Sequence, residues 1–158
     1  MEFIIYSIII FIIASAVFAL AKRKPPLLQP TIDMERTILE QHVLFYQRLT
    51  ASEKENFEKR VSDFLQKVRI TGVDTTVEDI DSVFVAAAAI IPIFAFKDWE
   101  YRNIHEVLIY PGSFDEKYDT IGADRDVLGM VGNGPLQNVM ILSQTDVRNG
   151  FLNVHSKS

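Results

Sequence analysis

Residues 3–21 read FIIYSIIIFIIASAVFALA, nineteen positions without a charged side chain. In helical form the run is about 28 Å long, close to the hydrocarbon thickness of a bilayer. A helix inside a water-soluble domain seldom stays apolar on every face for so long, because one stripe normally meets solvent. A cleaved signal peptide is the rival reading, since Ala14, Ala16, Ala19 and Ala21 resemble the small residues of a cleavage site. Only Met1 and Glu2 precede the run, however, with no basic residue, and the positive charge follows it as Lys22, Arg23 and Lys24. Basic residues flanking a span stay on the cytoplasmic side. The expectation is one uncleaved single-pass membrane helix at 1–21, its amino terminus outside and the remainder in the cytoplasm.

Pro25, Pro26 and Pro30 then stop the helix and make residues 22–30 a stiff Lys/Pro-rich spacer. That leaves 31–158 as one domain. The whole chain carries 16 basic and 21 acidic residues, a formal charge of −5, which excludes a basic nucleic-acid binder. At 48% hydrophobic it is not a disordered chain either. Without cysteine it has no disulfide framework, thiolate metal site or cysteine nucleophile.

The domain opens helical. Residues 32–49 place Ile38, Val43, Phe45, Tyr46 and Leu49 among charges with an imperfect helical period. Thr50-Ala-Ser-Glu53 is a capping box, and the helix it starts, 52–67, carries one apolar stripe of Phe57, Val61, Phe64, Leu65 and Val68. A short strand at Val68–Ile70 precedes a turn at Gly72. Thr75-Thr76 is a second start signal, with Glu78 and Asp79 in the first turn. Four consecutive alanines, Ala86–Ala89, let another backbone come close, so this helix should lie at the centre of the core and end near Pro92. From Trp99 onward the pattern turns to strands: 104–110, 127–131 and 139–142, with a polar loop at 111–126 and a turn at Gly132–Pro135. Helices followed by strands predict an α+β domain rather than alternating βαβ units.

Chemistry-bearing motifs are incomplete. His105-Glu106 begins like the zinc-binding HExxH helix, but the fifth position is Ile109 and the segment alternates as a strand. His42 lies on a helix surface and His155 in a terminal tail. Asp115, Glu116, Asp119, Asp124 and Asp126 lack the spacing and closing glutamate of a calcium loop. Gly129, Gly132 and Gly134 are not followed by the Lys-Ser/Thr of a phosphate loop, and Ser143 lacks the setting of a nucleophile elbow. No residue is assigned from these patterns as catalytic, cofactor-binding or metal-ligating.

Several segments, in order, resemble the MtfA family of zinc-dependent metallopeptidases, also called glucose-regulated metallopeptidases. They are Leu49–Glu53 leading to Phe57, Arg60-Val61 and Phe64-Leu65; Ile70-Thr-Gly72; Asp79 through Ala86–Ala89; Tyr101, Ile104, Val107–Pro111 and Phe114; and Gly134-Pro135, Val139 and Ile141–Ser143. The family's last strand usually finishes Ser-Trp, where this chain has Ser143-Gln144. The resemblance covers 49–144. It implies a zincin-like partial domain, and a complete relative in which zinc polarises a peptide carbonyl and activates water. It implies further that the HExxH helix and a later glutamate ligand follow the matching segments, so that no zinc ligand or general base transfers to a position of this chain.

The resulting expectation is the membrane-anchored amino-terminal portion of such an enzyme. Zinc belongs to the complete protein and is not bound by this chain. The partners are membrane lipid and a peptide or protein substrate, not nucleic acid. Zincin-type peptidases typically bind substrate as an added strand at a sheet edge, and Val139–Leu142 is the candidate edge. The alternative is a non-catalytic, membrane-tethered module that binds a partner protein.

Overall fold

The structure, a computed structural model, describes residues 30–112, 129–131 and 137–152. The apolar run at 3–21, most of the spacer, the acidic loop, the Gly132–Pro135 turn and His155 lie outside the described residues. Among the described residues no helix is long and apolar enough to cross a membrane.

The first helix, α1 (Ile32–His42), is capped by Thr31, whose hydroxyl accepts the Met34 N–H at 3.4 Å. It ends at Val43, which takes an extended conformation (φ −104°, ψ 94°), and a short second helix, α2 (Leu44–Gln47), follows. The single helix expected over 32–49 is therefore two. Ile38, Val43, Phe45, Tyr46 and Leu49 are spaced by five, two, one and three, which no single helical stripe accommodates. The break resets the phase, so that Val43 and Tyr46 are both buried and Phe45 meets Phe57 and Phe94 at ring distances of 5.7 and 5.6 Å.

Helix α3 (Ala51–Lys67) starts at the expected capping box, where the Glu53 carboxylate accepts the Thr50 N–H at 2.9 Å. Its stripe of Phe57, Val61, Phe64 and Leu65 is buried. Strand β1 (Arg69–Gly72) leads into a tight turn in which Asp74 has φ 56°, a left-handed conformation that Asp tolerates. A Cβ on Gly72 would collide with the Thr75 carbonyl, so the turn requires glycine.

Helix α4 (Asp79–Ile90) begins three residues later than the threonine signal suggested. Glu78 is the cap, its N–H donating to Asp81 Oδ2 at 2.9 Å. The helix is central, as expected: Val83, Phe84, Ala86 and Ala87 have no exposed surface. Of the four alanines it is Ala86 and Ala87 that are wholly buried. A 3₁₀ turn over Ile91–Ile93 follows, with Pro92 inside it.

Strands β2 (Glu106–Tyr110), β3 (Gly129–Val131) and β4 (Val139–Ser143) complete a four-stranded sheet of order β1-β2-β4-β3. β1, β2 and β4 run parallel, and β3 pairs antiparallel with β4. The α+β class holds, but β1–α4–β2 is a parallel crossover of the kind the strand-after-helix order argued against. The reason is that the strand before α4 is only four residues long and pairs with a strand more than thirty residues later. The helices cover the face carrying Ile70, Val107 and Ile109, with Met140 and Leu142 packed against the same core.

A last helix, α5 (Gln144–Leu152), follows β4 without a gap. The sequence reading contains no helix there. Its start is marked by Ser143, whose Oγ accepts the Asp146 N–H at 3.3 Å.

Candidate functional site

The expected substrate edge is not where the sequence placed it. Val139–Leu142 is internal: β4 pairs with β2 on one side and with β3 on the other. Val-Met-Ile-Leu is apolar on both faces, which suits a strand enclosed within a parallel sheet rather than an edge. Among the described residues the strand with a free side next to β4 is β3.

Where β4 runs into α5, the chain builds a polar cluster around the start of α4. Asp81 is fully buried. Arg148 from α5 donates to it twice, Nε to Oδ1 at 2.6 Å and Nη2 to Oδ2 at 2.8 Å, and Nη2 also meets Glu78 Oε2 at 2.7 Å. Gln144, one helical turn before Arg148, donates to Asp81 Oδ2 at 2.7 Å and to the Thr76 carbonyl at 2.9 Å. Its own amide oxygen accepts the Thr75 hydroxyl at 2.7 Å. Burial pushes the Asp81 carboxyl up, but the donors of Arg148, the Glu78 N–H and Gln144 together hold it below the ordinary range. Stacking of Phe84 on Phe151, ring centres 4.5 Å apart, closes the same contact on its apolar side. This cluster is a clamp: Arg148 and Gln144 of α5 hold the Asp81 carboxylate of α4 and the Thr75–Glu78 segment that leads into it.

A second cluster joins α1 to α3. Glu58 accepts Arg36 Nη2 at 2.7 Å and the Tyr46 hydroxyl at 2.5 Å, and its carboxyl is held low chiefly by Arg36. Glu35 lies beside it, 5% exposed, with its pKa raised to about 7 by burial and then by the Glu58 charge.

The histidines are not gathered into either cluster. His42 is half-buried, edge-on to Phe84 at 5.9 Å. His105 is exposed, and its backbone pairs with Arg69 and Asn138. Among the described residues no group of three or more His, Asp or Glu could hold a metal ion. The described residues therefore do not make up a zinc site.

The clamp and the buried Glu35 were missed in the sequence. Ser143-x-x-Asp146 is an N-terminal helix signal that reveals α5, and with it the four-residue spacing of Gln144 and Arg148. Glu35 has no such signal, because a carboxylate in a first helical turn ordinarily faces water.

The family model for glucose-regulated metallo-peptidase M90 matches residues 20–158. The chain belongs to this family. No curated protein matches it.

Proposed function

We propose that this chain is the amino-terminal portion of a membrane-anchored, zinc-dependent metallopeptidase, its domain in the cytoplasm. The observation that carries the reading is the family match over 20–158. In this reading the zinc-holding residues belong to sequence outside the 158 residues, and the portion described here supplies the sheet and the helical scaffold on which they are mounted. The anchor is the uncharged run at 3–21, oriented by Lys22, Arg23 and Lys24. The edge that would take an extended peptide as an added strand is β3, which pairs with β4 on one side.

The test is the natural product of the gene, read through any codons beyond Ser158. Stoichiometric zinc together with chelator-sensitive peptide hydrolysis is the expected result. A product with neither would replace this reading with a tethered module that binds a partner protein without catalysis. The sequence feature favouring that second reading is the lack of an HExxH within residues 1–158.

A further inference from the structure

We infer that the groove between α1 and α3 is a binding site for a primary alkylammonium group, with Glu35 as its chief acceptor. The inference stands on these two helices and does not depend on the metallopeptidase reading.

The groove measures about 320 Å³, the small end of the range for ligand sites. Ile32 and Glu35 of α1 line it with Glu55, Glu58, Lys59 and Asp63 of α3. Four carboxyl groups thus face a single cation, Lys59, which is exposed and forms no salt bridge among the described residues. On a helix surface such a cluster is ordinarily solvated charge. Glu35 sets this one apart. It is 5% exposed, and no donor among the described residues bonds its carboxyl. No fully buried side-chain oxygen of the described residues lacks a partner, so the exposed part of Glu35 is its carboxyl, open to the groove.

Burial and the Glu58 charge together keep the Glu35 proton in place to about pH 7. Glu58 is itself answered by Arg36 and bonded by the Tyr46 hydroxyl, so neither of those groups serves Glu35. The remaining charges at the groove, on Glu55, Lys59 and Asp63, do not act on it, nor do those of α4, which also packs on α1. A cation brought to the carboxyl offsets the burial that opposes ionisation, and the proton leaves as the cation binds.

The lining selects the kind of cation. No three carboxylates among the described residues converge to hold a metal ion, so the ligand must bring its own hydrogen-bond donors. A compact ammonium head suits an acceptor that is barely open, whereas a planar guanidinium fork needs a carboxylate presented edge-on. Ile32, 65% exposed at the same groove, offers an apolar wall for the methylene chain behind the ammonium. A free polyamine and a lysine side chain of a partner protein both present that group.

The test is calorimetric titration of the full chain, held in an uncharged detergent, with spermidine and separately with a capped trilysine peptide of the same charge. Affinity should rise about tenfold between pH 6 and 8, as Glu35 passes from mostly protonated to mostly ionised. At pH 7 binding should release about half a proton, counted from buffers of different ionisation enthalpy. Glu35→Gln keeps the neutral form that the fold already accommodates. It should weaken binding at pH 8 about tenfold and abolish the proton release. Glu40→Gln, which alters an exposed acid outside the groove lining, should change neither. Tighter binding of spermidine assigns the site to a free polyamine, and tighter binding of the peptide assigns it to a partner's lysine; both support the site. Binding of neither probe would overturn the inference, as would binding that Glu35→Gln leaves unchanged or that Glu40→Gln weakens equally. Magnesium that displaces spermidine better than sodium does at equal ionic strength would also overturn it, since the groove would then hold a metal ion.

Discussion

Glu35 has a pKa near 7 where an exposed glutamate has 4.5, because burial and the neighbouring Glu58 charge both oppose its ionisation. An acid raised on folding holds its proton longer in the folded state, so stability falls as pH climbs from about 4.5 to about 7 and then levels off. Asp81 and Glu58 act in the opposite sense: both are lowered, so their contribution is full above the ordinary carboxylate range and is lost on acidification. Glu35→Gln should flatten the decline between pH 4.5 and 7 and raise stability at pH 8 by roughly 2 kcal/mol, read from urea unfolding at several pH values. Arg148 poses a different question, since its loss leaves Asp81 buried without its cation. Arg148→Ala should cost roughly 3 kcal/mol, and adding Asp81→Ala should cost less than the sum of the two single changes, as a double-mutant cycle in urea would show.

Among the elements, α3 was legible because it couples a start signal to one apolar stripe that tertiary packing then uses, whereas α4 was legible from its continuous apolar run, its cap being Glu78 rather than the threonines. Thr50→Ala should therefore lower thermal stability by about 1 kcal/mol, since Glu53 loses its hydroxyl partner and the helix loses its cap, with little change in the near-ultraviolet spectrum. The break at Val43 was not legible as such. Its trace was an irregular apolar spacing, which reads equally as a poor helix until the core shows that Val43 and Tyr46 must both enter it. Helix α5 was hidden by composition: nine residues with a glycine at 150 and a polar start have low intrinsic helicity, and the clamp to α4 supplies what propensity does not. The strands were found within a residue or two, but their partners were not. Alternation reports which residues form a strand, while pairing depends on contacts far apart in the chain, and so β4 was taken for an edge.

At the scale of the molecule, three parallel strands pack against helices through Ile70, Val107 and Ile109, and no group of described residues there could hold a metal ion. The melting temperature of the 158-residue chain should accordingly be unmoved by a chelator, while peptidase activity of a zinc-bearing natural product should be abolished by the same treatment. A chelator-induced drop in the melting temperature would place a structural metal in this portion of the fold. Family membership was legible from the order of short segments, none of them diagnostic singly; the parallel crossover was not, because its first strand is so brief.

The clamp also bears on biosynthesis. Asp81 is made early and its guanidinium counterpart 67 residues later, so a ribosome must release residue 148 from its exit tunnel before the interior can be neutralised. Until then the carboxylate lacks the donors that let it be buried, so chains ending before that arginine should fold less stably, as a truncation at residue 147 compared in urea unfolding would show.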